Sequence, residues 1–320
     1  MAPRRPFVTD PSLTAIAIGY RNEAYQLIAD EVLPRVPVYG ETFKWTEYPT
    51  AEAFTVPDTR VGRRGRVNQV EFTGTEREGA VEDFGLDDPI PNTDIQEAAR
   101  IRAEKRGLYD PEAQATEMLT DLVLLGREVR VAGIIHDPAT YAVGRKVTLA
   151  GTSQFSDYAN SDPIGVIKTA IEGTLGPRPN TLVLGQPVWS KLSSHPSIVN
   201  AIRGNVSSKG IVTRAEFAAL FEIPRLLVGE AYVNTARKGQ TEVLARVWGK
   251  HIAALHLNPQ ARLQRGLTFG MTAQYGTKIA GRIEDDDIGL QGGVRVRSGE
   301  RVKELVIAKD CGYFIQNAVA

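Results

Sequence analysis

The sequence predicts an α+β fold, and three features carry the prediction. A stretch of period-two alternation lies upstream of one long capped helix, short helices and strands alternate through the middle, and the last third is strand-rich. At 320 residues, with 42% hydrophobic and 24% charged residues, the chain suits one large or two intertwined globular domains.

Thirty-eight basic residues balance thirty-eight acidic ones, which argues against a dedicated nucleic-acid binder with a strongly basic face. Zero net charge also removes the self-repulsion that keeps molecules apart, so it suits a subunit packing against its own copies; a pI near neutrality is equally a common property of proteins. The single cysteine, Cys311, allows neither an internal disulfide framework nor a cysteine-based zinc cluster. The start, Met1 to Phe7, is basic without a signal-like apolar run, and no uncharged apolar stretch approaches membrane-spanning length.

Residues 1 to 20 mix Pro3, Pro6, Pro11 and Gly19 with isolated apolars and read as an extended arm. A short helix is expected over Asn22 to Leu33, with Ala24, Leu27, Ile28 and Val32 at helical spacing before Pro34. From Glu41 to Leu86 the residues alternate: Phe43 and Trp45 oppose Thr42, Lys44 and Thr46, and Val67, Gln69 and Glu71 oppose Asn68, Val70 and Phe72. This predicts a long hairpin whose distal part, Pro57 to Arg66, is glycine-punctuated and basic. With arms of about ten residues it projects roughly 30 Å, and an isolated hairpin is marginal in water, so a neighbouring subunit is expected to support it.

Two helices follow. The first opens on a capping box, Thr93 with Gln96, and runs to about Gly107. The second has Asp110 as N-cap and Pro111 at its first position, then Ala115, Met118, Leu122, Leu125, Val129 and Ala132 at three-and-four spacing, ending at His136, Asp137 and Pro138. At 1.5 Å per residue it is a rod of nearly ~40 Å. Beyond it, Ile164 to Leu175, Val188 to Leu192, Ser197 to Ile202 and Arg214 to Phe221 read as helices; Val147 to Ala150, Thr181 to Leu184 and Arg225 to Val228 read as strands. Strand candidates in the last third are Val243 to Leu257, Leu267 to Ile283, Val294 to Arg297, Val302 to Ile307 and Tyr313 to Val319.

This order, together with D-P-E-A-Q-A-T-E-M-L-T-D-L-V-L-L-G-R-E at 110–128, R-P-N-T-L-V-L-G at 178–185 and the Lys303 to Val319 tail, resembles the tailed-bacteriophage major capsid proteins of the Hong Kong 97 fold over essentially the whole chain. The resemblance implies a Hong Kong 97-type capsid fold: an N-terminal arm (1–40), an E-loop (41–86), a P-domain with its spine helix (87–161), an A-domain (162–266), returning P-domain strands (267–312) and a C-terminal A-domain strand (313–320). It implies an icosahedral head around double-stranded DNA, built in the bacterial host cytoplasm from hexamers and pentamers and residing in the virion. Partners would be other copies of the chain, a separate scaffolding protein, a maturation protease, portal and decoration proteins, and DNA held non-specifically; no cofactor, metal or membrane is implied. The scaffold follows from a chain that opens directly on the arm, without a coiled-coil-like leading segment. Where one family member crosslinks an E-loop lysine to a neighbour's asparagine, the distal loop here has arginines and no lysine, so no covalent crosslink is expected. The same fold builds encapsulin compartments around proteins, which stands as the alternative.

The candidate contact residues are Arg60, Arg63, Arg64 and Arg66 at the loop tip. They read as an interface patch, a nucleic-acid patch or a solvated tip; guanidinium forks projected away from their own domain favour carboxylates of an adjacent subunit. Glu117, Asp121 and Glu128 on the long helix are the candidate receivers. Trp189 and Trp248 read as packing residues, and Trp45 as packing or a subunit-boundary contact. The acidic run Glu284 to Asp287 lacks EF-hand spacing and reads as a solvated turn. His251 and His256 fall on opposite faces of a predicted strand and cannot share a metal, leaving them and His136 and His195 as core or surface residues. A hydrolase using the acidic run is the rival from another class, with no nucleophile or base beside the carboxylates.

Overall fold

The structure is a computed structural model that describes residues 7–20, 26–47, 55–70, 74–204, 210–262 and 266–320. It opens with β1 (Val8–Thr9) and α1 (Pro11–Gly19), which corrects the expected extended arm over residues 7–20, residues 1–6 lying outside the described residues. Asp10 accepts hydrogen bonds from the Ser12 and Leu13 amides and Pro11 begins the helix, the same Asp-Pro device that starts the long helix at 110–111. Leu13 and Ala17 bury beside Ala115, Leu119 and Val296, so the segment has a core of its own. Of the helix expected at 22–33, residues 21–25 lie outside the described residues; the described part holds one turn, α2 (Ala29–Val32).

β2 (Arg35–Val38) leads to a ribbon of β3 (Thr42–Glu47) and β4 (Thr75–Ala80), paired from Thr42 opposite Ala80 to Glu47 opposite Thr75. The ribbon is shorter than the alternation predicts. Val67 to Val70 lie outside any strand, residues 71–73 are outside the described residues, and 82–86 pair with Ser298–Val302 in β5 (Glu82–Pro91). Then come α3 (Asn92–Ala103), capped by Pro91 two residues ahead of Thr93 and without the expected capping box, ending short of Gly107, and α4 (Pro111–His136) at the expected bounds.

The middle of the chain supplies β6 (Lys146–Thr148), α5 (Pro163–Glu172), β7 (Thr181–Gly185), α6 (Gln186–Leu192), α7 (Pro196–Arg203), α8 (Arg214–Leu220) and β8 (Arg225–Gly229). The strand expected over Val243 to Leu257 is cut by a turn at 247–250 into β10 (Leu244–Arg246), which pairs with β9 (Tyr232–Asn234), and β11 (Ile252–Leu255). Leu267 to Ile283 likewise divides at Gly276, whose positive φ turns the chain, into β12 (Gly270–Tyr275) and β13 (Ile279–Asp285). Two expected strands instead merge into β14 (Gly293–Val306), and β15 (Gly312–Gln316) closes the chain. Gly299 reads as a break in sequence but serves a close approach: a Cβ there would lie 2.6 Å from the Phe84 carbonyl oxygen of β5.

One sheet runs β1-β13-β14-β12-β2; because β13 already pairs with Gly293–Gly299, β5 takes the other edge of β14. The second runs β6-β15-β11-β7-β8, its strands nearly all apolar because helices and loops cover it. α4 ties the two together. Its first half packs against α1 and β14, and Val131, Ala132 and Ile135 in its second half join Trp248, Phe269 and Phe314 beside the second sheet.

Candidate subunit-contact surfaces

The ribbon is rooted by Phe43, buried with Val38, Ala273 and Leu305. Trp45 lies half-buried at the edge of this cluster, 5.8 Å from the Phe43 ring, over Gly79, where a Cβ would meet the indole at 3.0 Å. Trp45 therefore packs within its own chain and keeps part of its surface open. Beyond the root, residues 55–70 are all exposed. They are organised locally: Asp58 accepts from the Arg60 amide (2.9 Å), Asn68 donates to the Asp58 carbonyl (2.8 Å), and the Gly65 amide donates to the Gly62 carbonyl (2.8 Å). Arg60, Arg63, Arg64 and Arg66 stand on this loop with no ion pair among the described residues, beside exposed Val56, Val61, Val67 and Val70.

α4 buries a different apolar row from the expected one: Ala115, Leu119, Val123, Val131, Ala132 and Ile135. Ala115 and Ala132 of the expected core row are buried, but Met118, Leu122 and Val129 are 61%, 54% and 39% exposed, while Thr116, Thr120, Arg127 and Glu128 are buried. The polar residues go inside because partners await them. Arg127 pairs with Asp30 and donates to the Leu33 carbonyl (3.0 Å) and Thr272 Oγ1 (2.9 Å), and Thr120 meets Ser298 at 3.1 Å. Glu128 accepts from the Ile28 and Ala29 amides (2.9 and 2.8 Å) and from Trp248 Nε1 (2.6 Å); desolvation outweighs these donors and holds its pKa above the ordinary carboxylate value.

Glu128 is thus corrected as a candidate contact: fully buried, with its acceptor capacity used inside one chain, it cannot meet an arginine of a neighbour. Glu117 and Asp121 remain half-buried on the same helix, Asp121 accepting from the Tyr20 hydroxyl at 3.2 Å. The buried Arg127–Glu128 pair escaped sequence reasoning because charged residues in a helix default to solvent; adjacency to the apolar row was the only signal.

Elsewhere, Asp285 of the acidic run is held by Arg295 at 2.8 Å. His251 and His256 flank β11, but the close pair is His136 and His251, with ring centroids 4.7 Å apart beneath Trp248 and Phe314. His251 Nδ1 accepts from the Asn317 amide (3.1 Å), which puts its proton on Nε2. Likewise His195 Nδ1 accepts from the Ser197 amide, so Nε2 donates to Ser161 Oγ (3.1 Å), and a histidine in that tautomer cannot act as base to the hydroxyl. Among the described residues no three His, Cys, Asp or Glu side chains are grouped to hold a metal, and no helix is long and apolar enough to cross a membrane.

No protein-family model matches the sequence. The chain is 46% identical over 315 residues to the major capsid protein of Pseudomonas phage JBD67, covering 98% of each. Among solved structures, a phage-related protein of Bordetella bronchiseptica RB50 aligns with a TM-score of 0.74 at 23% identity, over 98% of this chain and 99% of that one. The capsid of cyanophage P-SCSP1u aligns with a TM-score of 0.57 at 12% identity, over 94% and 92%.

Proposed function

The chain belongs to the major capsid proteins of tailed phages, with the Hong Kong 97 fold, and on that footing we propose that copies are joined by the 55–70 loop of one lying along α4 of the next. The protein forms the icosahedral capsid shell of the virion. Supporting the contact is a double mismatch within one chain: a loop with exposed valines and guanidiniums that form no ion pair among the described residues, and a helix with an exposed apolar stripe beside Glu117 and Asp121. Met118, Leu122, Leu125 and Val129 lie three and four apart and so form one seam. Loop valines would cover it while Arg60, Arg63, Arg64 and Arg66 pair with the flanking carboxylates, and the open side of Trp45 would sit at the boundary.

Within this reading the second sheet with α5 to α8 is the A-domain and the first sheet with α4 the P-domain. The shell would be made of hexamers and pentamers, assembled in the host cytoplasm on a separate scaffolding protein and trimmed by a maturation protease, with portal and decoration proteins added and DNA enclosed without sequence preference. About 2,000 Å² of apolar surface shared per subunit, at about 25 cal/mol/Å², is worth roughly 50 kcal/mol before entropic and polar costs, so many individually weak contacts suffice. The protein-filled compartment gains no support from a full-length relative that is a phage capsid protein.

The test is Arg63→Glu with Arg64→Glu. Like charges facing across a contact cost several kcal/mol, so particle yield by electron microscopy should fall by about tenfold or more while circular dichroism of the subunit is unchanged. Undiminished yield refutes the contact.

A further inference from the structure

A second pair of unburied surfaces lies at the two ends of α3. At its start, the turn between β13 and β14 is fastened by Asn92, whose amide donates to the Gly292 carbonyl (3.0 Å) and whose side chain donates to the Gln291 carbonyl (2.9 Å). The tip of that turn is Leu290, 101% exposed. Four acidic residues and no basic one lie between 284 and 292. At the other end, the helix is closed by the Arg106 amide donating to the Ile101 carbonyl (3.0 Å), with Lys105 held at φ 56°. The chain then presents Leu108 and Tyr109, 95% and 52% exposed. Here four basic residues stand against one acidic residue between 100 and 106; Arg100, Arg102 and Arg106 hold Glu97, Asp110 and Glu104, and Lys105 forms no ion pair among the described residues.

A fully exposed leucine has no role in its own fold, and a non-glycine residue in the left-handed region costs about 1–3 kcal/mol that the surroundings must hold in place. Each end of α3 therefore offers an apolar knob, one in an acidic setting and the other in a basic one. α3 spans about 18 Å, so the two knobs cannot meet within one chain.

We propose that they meet between copies: the Leu290 turn of one subunit docks on the Leu108–Tyr109 knob of the next, with Asp286 and Asp287 facing Lys105 and Arg106. The occupant of each knob is a second copy because its complement is the other knob of the same chain. The contact is head-to-tail, so successive copies are related by a rotation that must close into a ring. It is small, and it gains strength from the other contacts that hold the same subunits side by side. The inference rests on the shell reading but uses none of the loop-to-α4 residues.

A zero-length carbodiimide applied to assembled particles should join Lys105 to Asp286 or Asp287, and the linked peptide should be lost when particles are dissociated before treatment. No intrachain bridge can imitate it across the length of α3. Independently, particles of a Leu108→Cys, Leu290→Cys chain should give disulfide-linked multimers on oxidation while each single variant stays monomeric; Cys311 is buried and does not compete. Particles that form normally but give no such link, or dimers from Leu290→Cys alone, overturn the contact. Failure of the unaltered chain to form particles would remove the shell reading, and this inference with it.

Discussion

Glu128 is the point where three parts of the chain meet, since its carboxylate binds two amides at the head of α2 and the indole of Trp248 from beside the second sheet. Glu128→Ala would leave three buried donors without a partner, and breaking a buried charged network typically costs about 3–5 kcal/mol. Urea unfolding of the purified chain should show a loss of that size, with Glu128→Gln, which keeps one acceptor oxygen, losing distinctly less. Equal losses would mean the site is steric. A second residue sets the acid limit. Burial, with His251 alongside, lowers the His136 pKa to about 3. Below the unfolded value of about 6.5 the unfolded chain takes up a proton that the folded chain refuses, so stability is complete above that pH and declines toward pH 3, by up to about 1.4 kcal/mol per unit. His136→Phe should flatten the melting temperature between pH 6.5 and 4; an unchanged slope would assign the acid sensitivity elsewhere.

Among elements, α4 decides the most. Its length and both ends follow from Asp110, Pro111 and the Asp137-Pro138 stop, and those are sequence facts. Which face turns inward is not. Met118, Leu122 and Val129 look like core and face out, because Arg127 and Thr120 find their partners only once Asp30, Leu33, Thr272 and Ser298 have been brought from distant parts of the chain. Leu122→Asp should consequently change subunit stability by no more than about 0.5 kcal/mol, as surface substitutions do, yet abolish particles. A large loss in the unfolding midpoint would show Leu122 to be core after all. The same logic explains the ribbon. Alternation around Phe43 and Trp45 is a genuine strand signal because Ala273 and Leu305 lie beneath, whereas residues 67–70 are exposed and stay out of any strand.

For the whole molecule, the distal loop holds arginines where a crosslinking relative would need lysine, and a guanidinium cannot form an isopeptide bond. Mature particles boiled in denaturant should run as a single band of one subunit, at or below the full-chain 34.9 kDa. A ladder of high-mass species would show that another lysine serves. Without crosslinks, shell cohesion rests on burial and charge pairing alone, so raising salt should weaken the loop contacts more than the apolar seam.

The sequence by itself determined the α+β class, the span of α4, the exposed basic loop and, with one cysteine, that no disulfide forms within the chain, because helix caps, alternation and residue type act over a few neighbours. Tertiary structure decided that residues 11–19 are helical, that β14 is one continuous strand, that Glu128 is buried and that Met118, Leu122 and Val129 of α4 face outward. Each of those depends on a partner a hundred or more residues away. Desolvating a charge or exposing a leucine can only be weighed when the groups on the other side of the contact are in place.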